Sequence, residues 1–258
     1  RPKDLPHLQA MAAVGQGQLM ALYGTVCQAQ GFHCAQILLS ADDVQDRGRH
    51  LNVRNCLNAL LEGGILPIIN ENDTVSIEEI RFGDNDTLAA LVGSLSWSDL
   101  TILLTTVDGV LKRQPDGSFG ERLSVVRGVP AEVRAMAGGS DDAQFSTGGM
   151  TSKLAAAEIS TRSGEHLWIA NGQDFSILRR LVAGEDLGTL FQPKSPRMRG
   201  SKRFLAFFTP PEGELLVDAG AARALRGQGR SLLPSGISQV TGEFAPGDSV
   251  IIRELGGE

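Results

Sequence analysis

Four short polar clusters in the sequence combine residue types that can bind and activate a charged small molecule. The first is Asn70-Glu71-Asn72-Asp73, directly after the apolar run Ile65 to Ile69. Two amides and two carboxylates on one turn can meet an amino group with Asp73 or Glu71, and hydroxyls or carboxyls with Asn70 and Asn72. A polar turn that caps a helix would use the same residues. The second cluster is Gly83-Asp84-Asn85-Asp86-Thr87. Asp84 suits an N-cap, where a carboxylate accepts from orphan N–H groups and complements the helix dipole. One Asp suffices for that, so Asp84-Asn85-Asp86 offers more polar groups than capping needs.

The third cluster is Thr147-Gly148-Gly149-Met150-Thr151-Ser152-Lys153, ahead of a helix. Adjacent glycines allow close backbone approach to a phosphate, and the helix start supplies aligned N–H donors. Lys153 adds a mobile positive charge able to follow a phosphoryl group in flight. The spacing is not G-x-x-x-x-G-K-[ST], so the P-loop class is not supported. The fourth cluster is Leu104-Thr105-Thr106-Val107-Asp108-Gly109-Val110. Its hydroxyls can contact a nucleotide, and Asp108-Gly109 serves equally as a plain turn.

These clusters need a frame. The pattern predicts helices over Leu8–Gln30, Asp46–Glu62, Asp84–Leu95, Ala131–Ala137, Lys153–Gly164 and Phe175–Ala183. It predicts strands at Ala35–Leu39, Ile65–Ile69, Leu100–Thr105, His166–Ala170 and Gly188–Phe191, with an exposed loop or hairpin over Lys112–Gly120. Nearly continuous apolar strands alternating with helices imply a mostly parallel sheet covered on both faces, an α/β class. Ligands of such sheets bind beyond the carboxyl ends of the strands, where the clusters fall. Pro193 to Gly200 reads as a linker. The short segments after it, such as Arg203–Phe208, Glu214–Val217 and Ser249–Arg253, read as a small, mainly β module.

Composition narrows the classes. The chain has 258 residues, 41% apolar, with 24 basic against 30 acidic residues and a net charge of -6. A chain this acidic has no overall attraction for nucleic acid. Cys27, Cys34 and Cys56 lack C-x-x-C spacing and are odd in number, which excludes a full disulfide framework. His7, His33, His50 and His166 are scattered, so no metal site is expected, and the thiols fit a reducing, cytoplasmic setting. No apolar run approaches the length of a membrane span.

In this order and spacing the clusters resemble the amino-acid kinase family, in its glutamate-phosphorylating branch. The matching segments are Ile68 to Asp73, Phe82 to Asp86, Leu103 to Gly109 and Thr147 to Lys153, with Ala12 to Gln16 and Leu38-Leu39-Ser40 upstream. Gly213-Glu214-Leu215, Val217 to Ala221 and Ser231 to Ile237 resemble a PUA domain, an appendage typical of that branch. The resemblance implies a three-layer αβα sandwich and ATP-dependent phosphorylation of the L-glutamate γ-carboxylate to glutamyl 5-phosphate, the first step of proline biosynthesis. Carried over by position, Asn70, Asp73, Asp84 and Asn85 bind glutamate, and Asp86 orients the catalytic lysines. Lys153 stabilises the transferring phosphoryl group. Thr105, Thr106, Thr147, Gly148, Gly149, Met150, Thr151, Ser152 and Lys153 hold the nucleotide, whose phosphates carry Mg²⁺. Proline as a feedback inhibitor and a homo-oligomer are also implied.

The expected organisation is a kinase domain over residues 1–192, a linker over 193–201 and a PUA-like domain over 202–258. Two departures stand out. Many relatives carry Asp where this chain has Thr106. The family's N-terminal strand, with its Lys and Gly-rich phosphate loop, and a following Ser-Ser-Gly-Ala-type segment have no match; both would precede Arg1. The PUA-like module likewise stops before its last strands. Two other readings exist. One is a family member acting on aspartate or N-acetylglutamate, against which Asn70 to Asp73 and the PUA-like tail argue. The other is RNA binding through that tail, but residues 201–258 carry six Lys/Arg against seven Asp/Glu, so no basic footprint supports it.

Overall fold

The apolar runs become strands because both of their faces find cover. The computed structural model describes residues 4–75, 84–114, 118–137, 149–198, 200–209, 211–228 and 230–256. Contacts divide the chain into two units, Arg1–Arg203 and Phe204–Glu258.

In the first unit, Asp4 caps α1 (Leu5–Ala29) by accepting from the His7 N–H at 3.1 Å. The apolar residues of α1 lie mostly exposed, Met11, Val14, Leu22 and Val26 among them, while Cys27 is buried. β1 (Cys34–Leu39) follows, then the short α2 (Ala41–Gln45) and α3 (Arg47–Glu62), whose cap is Asp46. Leu57 of α3 is buried, and Cys56 is exposed. β2 (Leu66–Glu71) pairs in parallel with β1, from Cys34 opposite Leu66 to Leu39 opposite Glu71.

α4 (Asn85–Ser96) leads into β3 (Leu100–Thr105). The hairpin of β4 (Leu111–Arg113) and β5 (Phe119–Arg122) is followed by β6 (Val125–Arg127) and α5 (Ala131–Ala137). Next come α6 (Met150–Ser163), β7 (His166–Asn171), α7 (Ile177–Val182) and β8 (Thr189–Gln192). The four-stranded sheet runs β3-β7-β8-β6; β3 is parallel to β7 and β6 to β8, while β7 and β8 are antiparallel. Alternation along β7 shows the layering. Leu167 and Ile169 join one core cluster with Ala90, Leu154, Ala156, Ala157 and Phe191. Trp168 and Ala170 join another with Ile177 and Leu181. Helices therefore cover both faces of the sheet. Among the described residues no helix is long and apolar enough to cross a membrane.

α8 (Gly200–Phe207) spans the division between the units. Arg203–Phe208, expected among the short segments of a β module, is therefore largely helical. In the second unit β9 (Gly213–Val217) lies between β10 (Ile237–Gly242), antiparallel to it, and β11 (Val250–Glu254), parallel to it. α9 (Ala219–Gln228) follows β9 directly, with Asp218 accepting from the Ala221 N–H at 2.8 Å. Leu215, Val217 and Ala222 are buried.

Candidate active site

The polar clusters sit at strand ends and helix starts. Asn70 and Glu71 are the last residues of β2, and Asn72 and Asp73 begin the turn beyond it. All four are half-buried. The Asn70 side-chain amide donates to Gln16 Oε1 of α1 at 3.1 Å, and the Asn72 N–H donates to the Leu39 carbonyl at 2.8 Å. The carboxyl ends of β1 and β2 are thus tied together, with Asn70 fixed by a neighbour 54 residues away in sequence.

Asp84 is the N-cap of α4, accepting from the Thr87 N–H at 2.9 Å. Asn85 is exposed and lines a cavity of about 440 Å³ with Pro67 and Ile69 of β2 and Leu100 and Thr101 of β3. Asp86 has a different fate. Its Oδ2 receives Lys153 Nζ at 2.8 Å and the Ser152 hydroxyl at 3.0 Å. Both partners belong to the first turn of α6, so α4 and α6 meet at their amino ends through this contact. The Lys153 side chain is 9% exposed and that of Asp86 18%. An ammonium this far from water needs a countercharge, and Asp86 supplies it.

Gly149 is the N-cap of α6 and has no side chain to cap with. Among the described residues no side chain caps this amino end, where N–H groups and dipole favour an anion. Gly149 and Thr151 are exposed, Met150 and Ser152 half-buried. The sequence places the helix start at Lys153; the structure starts it at Met150, which puts Lys153 within the first turn. Thr147 and Gly148 lie outside the described residues.

Thr105 ends β3 opposite Asn171, the last residue of β7, and the Gly172 N–H donates to the Thr105 carbonyl at 2.7 Å. Thr106 is exposed in the turn that follows. The Asn171 amide donates to Asp108 Oδ1 at 2.8 Å, closing a polar ring over the strand ends. Asn171 was not singled out in the sequence, although a polar residue ending an apolar strand is the signal that pointed to Asn70. The turn needs Gly109: its φ is 122°, and a Cβ there would stand 2.6 Å from Thr189 Oγ1.

A buried lysine held by a carboxylate in the first turn of a helix suits transfer of an anionic group. Residues 2–171 match the amino acid kinase family, and residues 213–258 match the PUA domain. The chain belongs to the amino acid kinase family. It is 47% identical over 260 residues to a glutamate 5-kinase of Desulfotalea psychrophila, a match covering 99% of this chain and 68% of that enzyme. It is 43% identical to a glutamate 5-kinase of Synechococcus sp., covering 100% of this chain and 69% of that one. Among solved structures, carbamate kinase from Giardia lamblia bound to AMP-PNP matches with a TM-score of 0.52 at 16% identity. That match covers 72% of this chain and 73% of the other, and bears on the fold alone. Within the family's α/β fold, Asn70, Asp73, Asp84 and Asn85 stand around β2 and the start of α4. Asp86, Ser152 and Lys153 form one bonded group, and Thr105 and Thr106 stand at the end of β3.

Proposed function

We propose that this protein is a kinase of the glutamate γ-carboxylate, converting L-glutamate and ATP to glutamyl 5-phosphate and ADP, the entry step to proline. The observation that carries this is 47% identity to a glutamate 5-kinase over 99% of the chain. The geometry supplies a means. A γ-carboxylate oxygen attacks the terminal phosphorus of ATP, a P–O bond forms, and the bond to ADP breaks. The acceptor is ionised at neutral pH, so no strong general base is required. What the reaction needs is positioning and neutralisation of spread negative charge.

Lys153 supplies the charge and Asp86 with Ser152 fixes its direction. The amino end of α6, with Thr147 to Ser152, cradles phosphates, while Thr105 and Thr106 hold the nucleotide. Asn70, Asp73, Asp84 and Asn85 bind glutamate, the carboxylates facing its amino group. Mg²⁺ fits as an ion carried on the phosphates. Asp86 is engaged by Lys153 and Ser152, and Mg²⁺ commonly keeps its waters and binds through few protein carboxylates. Bound there, it would supply further neutralisation of phosphate charge. Inhibition by proline, self-association and a cytoplasmic location belong to the same proposal.

The test is an acceptor panel under saturating ATP. The expected result is a kcat/KM for glutamate at least about 100-fold above those for aspartate and N-acetylglutamate, since a site built for hydrogen bonds rejects a mismatched acceptor strongly. Preference for N-acetylglutamate would reassign the substrate and the role of Asp73.

A further inference from the structure

The helices that carry Asp86 and Lys153 are also joined at their other ends. Asp86 to Ser94 spans about 12 Å of α4, and α6 runs alongside in the same direction. At the carboxyl ends the Ser94 and Ser163 hydroxyls lie 3.1 Å apart. One guanidinium bridges both helices there. Arg203 Nη1 donates to the Ser94 carbonyl at 2.6 Å, and Nη2 to the Ser163 carbonyl at 3.2 Å. Nη1 also meets Glu165 Oε1 at 2.6 Å. Between the two ends Ala90, Ala156 and Ala157 are fully buried, so the helices pack closely along their length.

Three features single this clamp out. Trp97, the C-cap of α4, adopts a left-handed conformation with φ of 60°, rare for an aromatic residue, and its ring lies 5.0 Å beneath the Arg203 guanidinium. The preceding segment is fastened to the same place. Arg197 donates to the Ser98 carbonyl at 2.7 Å, and the Met198 N–H to the Ser163 carbonyl at 3.1 Å. Finally, the Arg203 and Glu165 side chains are 3% and 0% exposed. Burial pushes the Glu165 carboxyl up, against Arg203 and Arg197, and pushes the Arg203 guanidinium down. A pair buried at such expense is a weak stabiliser compared with apolar side chains of similar volume.

We propose that Arg203 is a positioning residue for phosphoryl transfer, clamping the carboxyl ends of α4 and α6 so that Asp86 and Lys153 keep their register at the amino ends. This rests on the assignment of Lys153 and Asp86 above. The test is steady-state kinetics on the intact protein. Arg203→Lys keeps the charge but cannot reach both carbonyls as the planar fork does. Arg203→Met with Glu165→Leu removes both charges at similar volume, avoiding an unpaired buried ion. Each should lower kcat about tenfold, with KM for glutamate and ATP within about twofold, because misplacement of a catalytic group acts on the chemical step. In a Lys153→Ala background the same changes should lower kcat no further. A normal kcat in a folded Arg203→Lys variant would overturn the proposal, as would fully multiplicative losses in the Lys153→Ala background. If Lys153→Ala itself keeps the parent rate, the site assignment fails and the clamp's role with it. A normal Arg203→Lys rate beside an impaired Lys153→Ala removes the clamp alone.

Discussion

Lys153 is the residue to which the proposed reaction assigns neutralisation of the transferring phosphoryl group. It is buried in the first turn of α6, and its ion pair with Asp86 at 2.8 Å joins that turn to the start of α4. Lys153→Ala should lower kcat by about 100-fold or more with the fold intact, the scale of losing one charge-stabilising group; a steady-state assay beside a thermal melt checks it. Asp84 caps α4 through one oxygen, and its proposed role toward glutamate can be separated from that. Asp84→Ala should destabilise by about 1 kcal/mol and raise KM for glutamate. Asp84→Ser restores the cap without the charge, so it should recover the melt but not the KM. Recovery of both would leave Asp84 a cap only. At this scale the sequence was informative about residue types, since Asp84-Asn85-Asp86 exceeds what capping requires. That Asp86 and not Asp84 would take the lysine came only from the family resemblance, which has Asp86 orient the catalytic lysines; local pattern could not give it, because the partner lies 67 positions away for Asp86 and three for Asp84.

Elements were legible where one pattern dominated. Leu100–Thr105 is built of aliphatic residues and threonine, a strand-forming composition, and the structure forms the strand over those residues. Asp46 and Gly63, flanking α3, are a cap and a stop that can be read locally. α8 and α9 were not legible, whereas α6 and α7 fall where the pattern predicts helices. α9 mixes Ala219, Ala221, Ala222, Ala224 and Leu225 with Gly220 and Gly227, so its helix formers are masked by glycine. α8 follows a segment rich in Pro and Arg, and its anchoring through Arg203 depends on Ser94, Ser163 and Glu165. α7 permits a pH prediction. The Ser176 hydroxyl and N–H, with Arg180, hold the Asp174 carboxyl from its usual 3.8 down to about 2. A lowered carboxylate stabilises the fold above its unfolded pKa and loses that contribution as pH falls through the folded one. Asp174→Asn should therefore lower the unfolding midpoint slightly at pH 6, and the gap should close as pH falls below about 4 toward 2. A gap that is constant with pH would assign the effect to packing instead.

For the whole molecule, the chain spans about two thirds of the relatives it matches, 68% and 69% of the first two. Its charge of -6 speaks against a general attraction for nucleic acid, and the second unit carries no excess of basic residues. Binding of RNA at physiological salt should accordingly be undetectable at micromolar protein; a clear, salt-sensitive shift in a filter-binding assay would give the PUA unit a role that its charge does not suggest. The proposed function stands on the bond that is made. Phosphorylation of a carboxylate yields an acyl phosphate, which hydroxylamine traps as a hydroxamate. Incubated with glutamate, ATP, Mg²⁺ and hydroxylamine, the intact protein should form γ-glutamyl hydroxamate in step with ADP, one for one. ADP release without hydroxamate, or hydroxamate at the α-carboxyl, would contradict it.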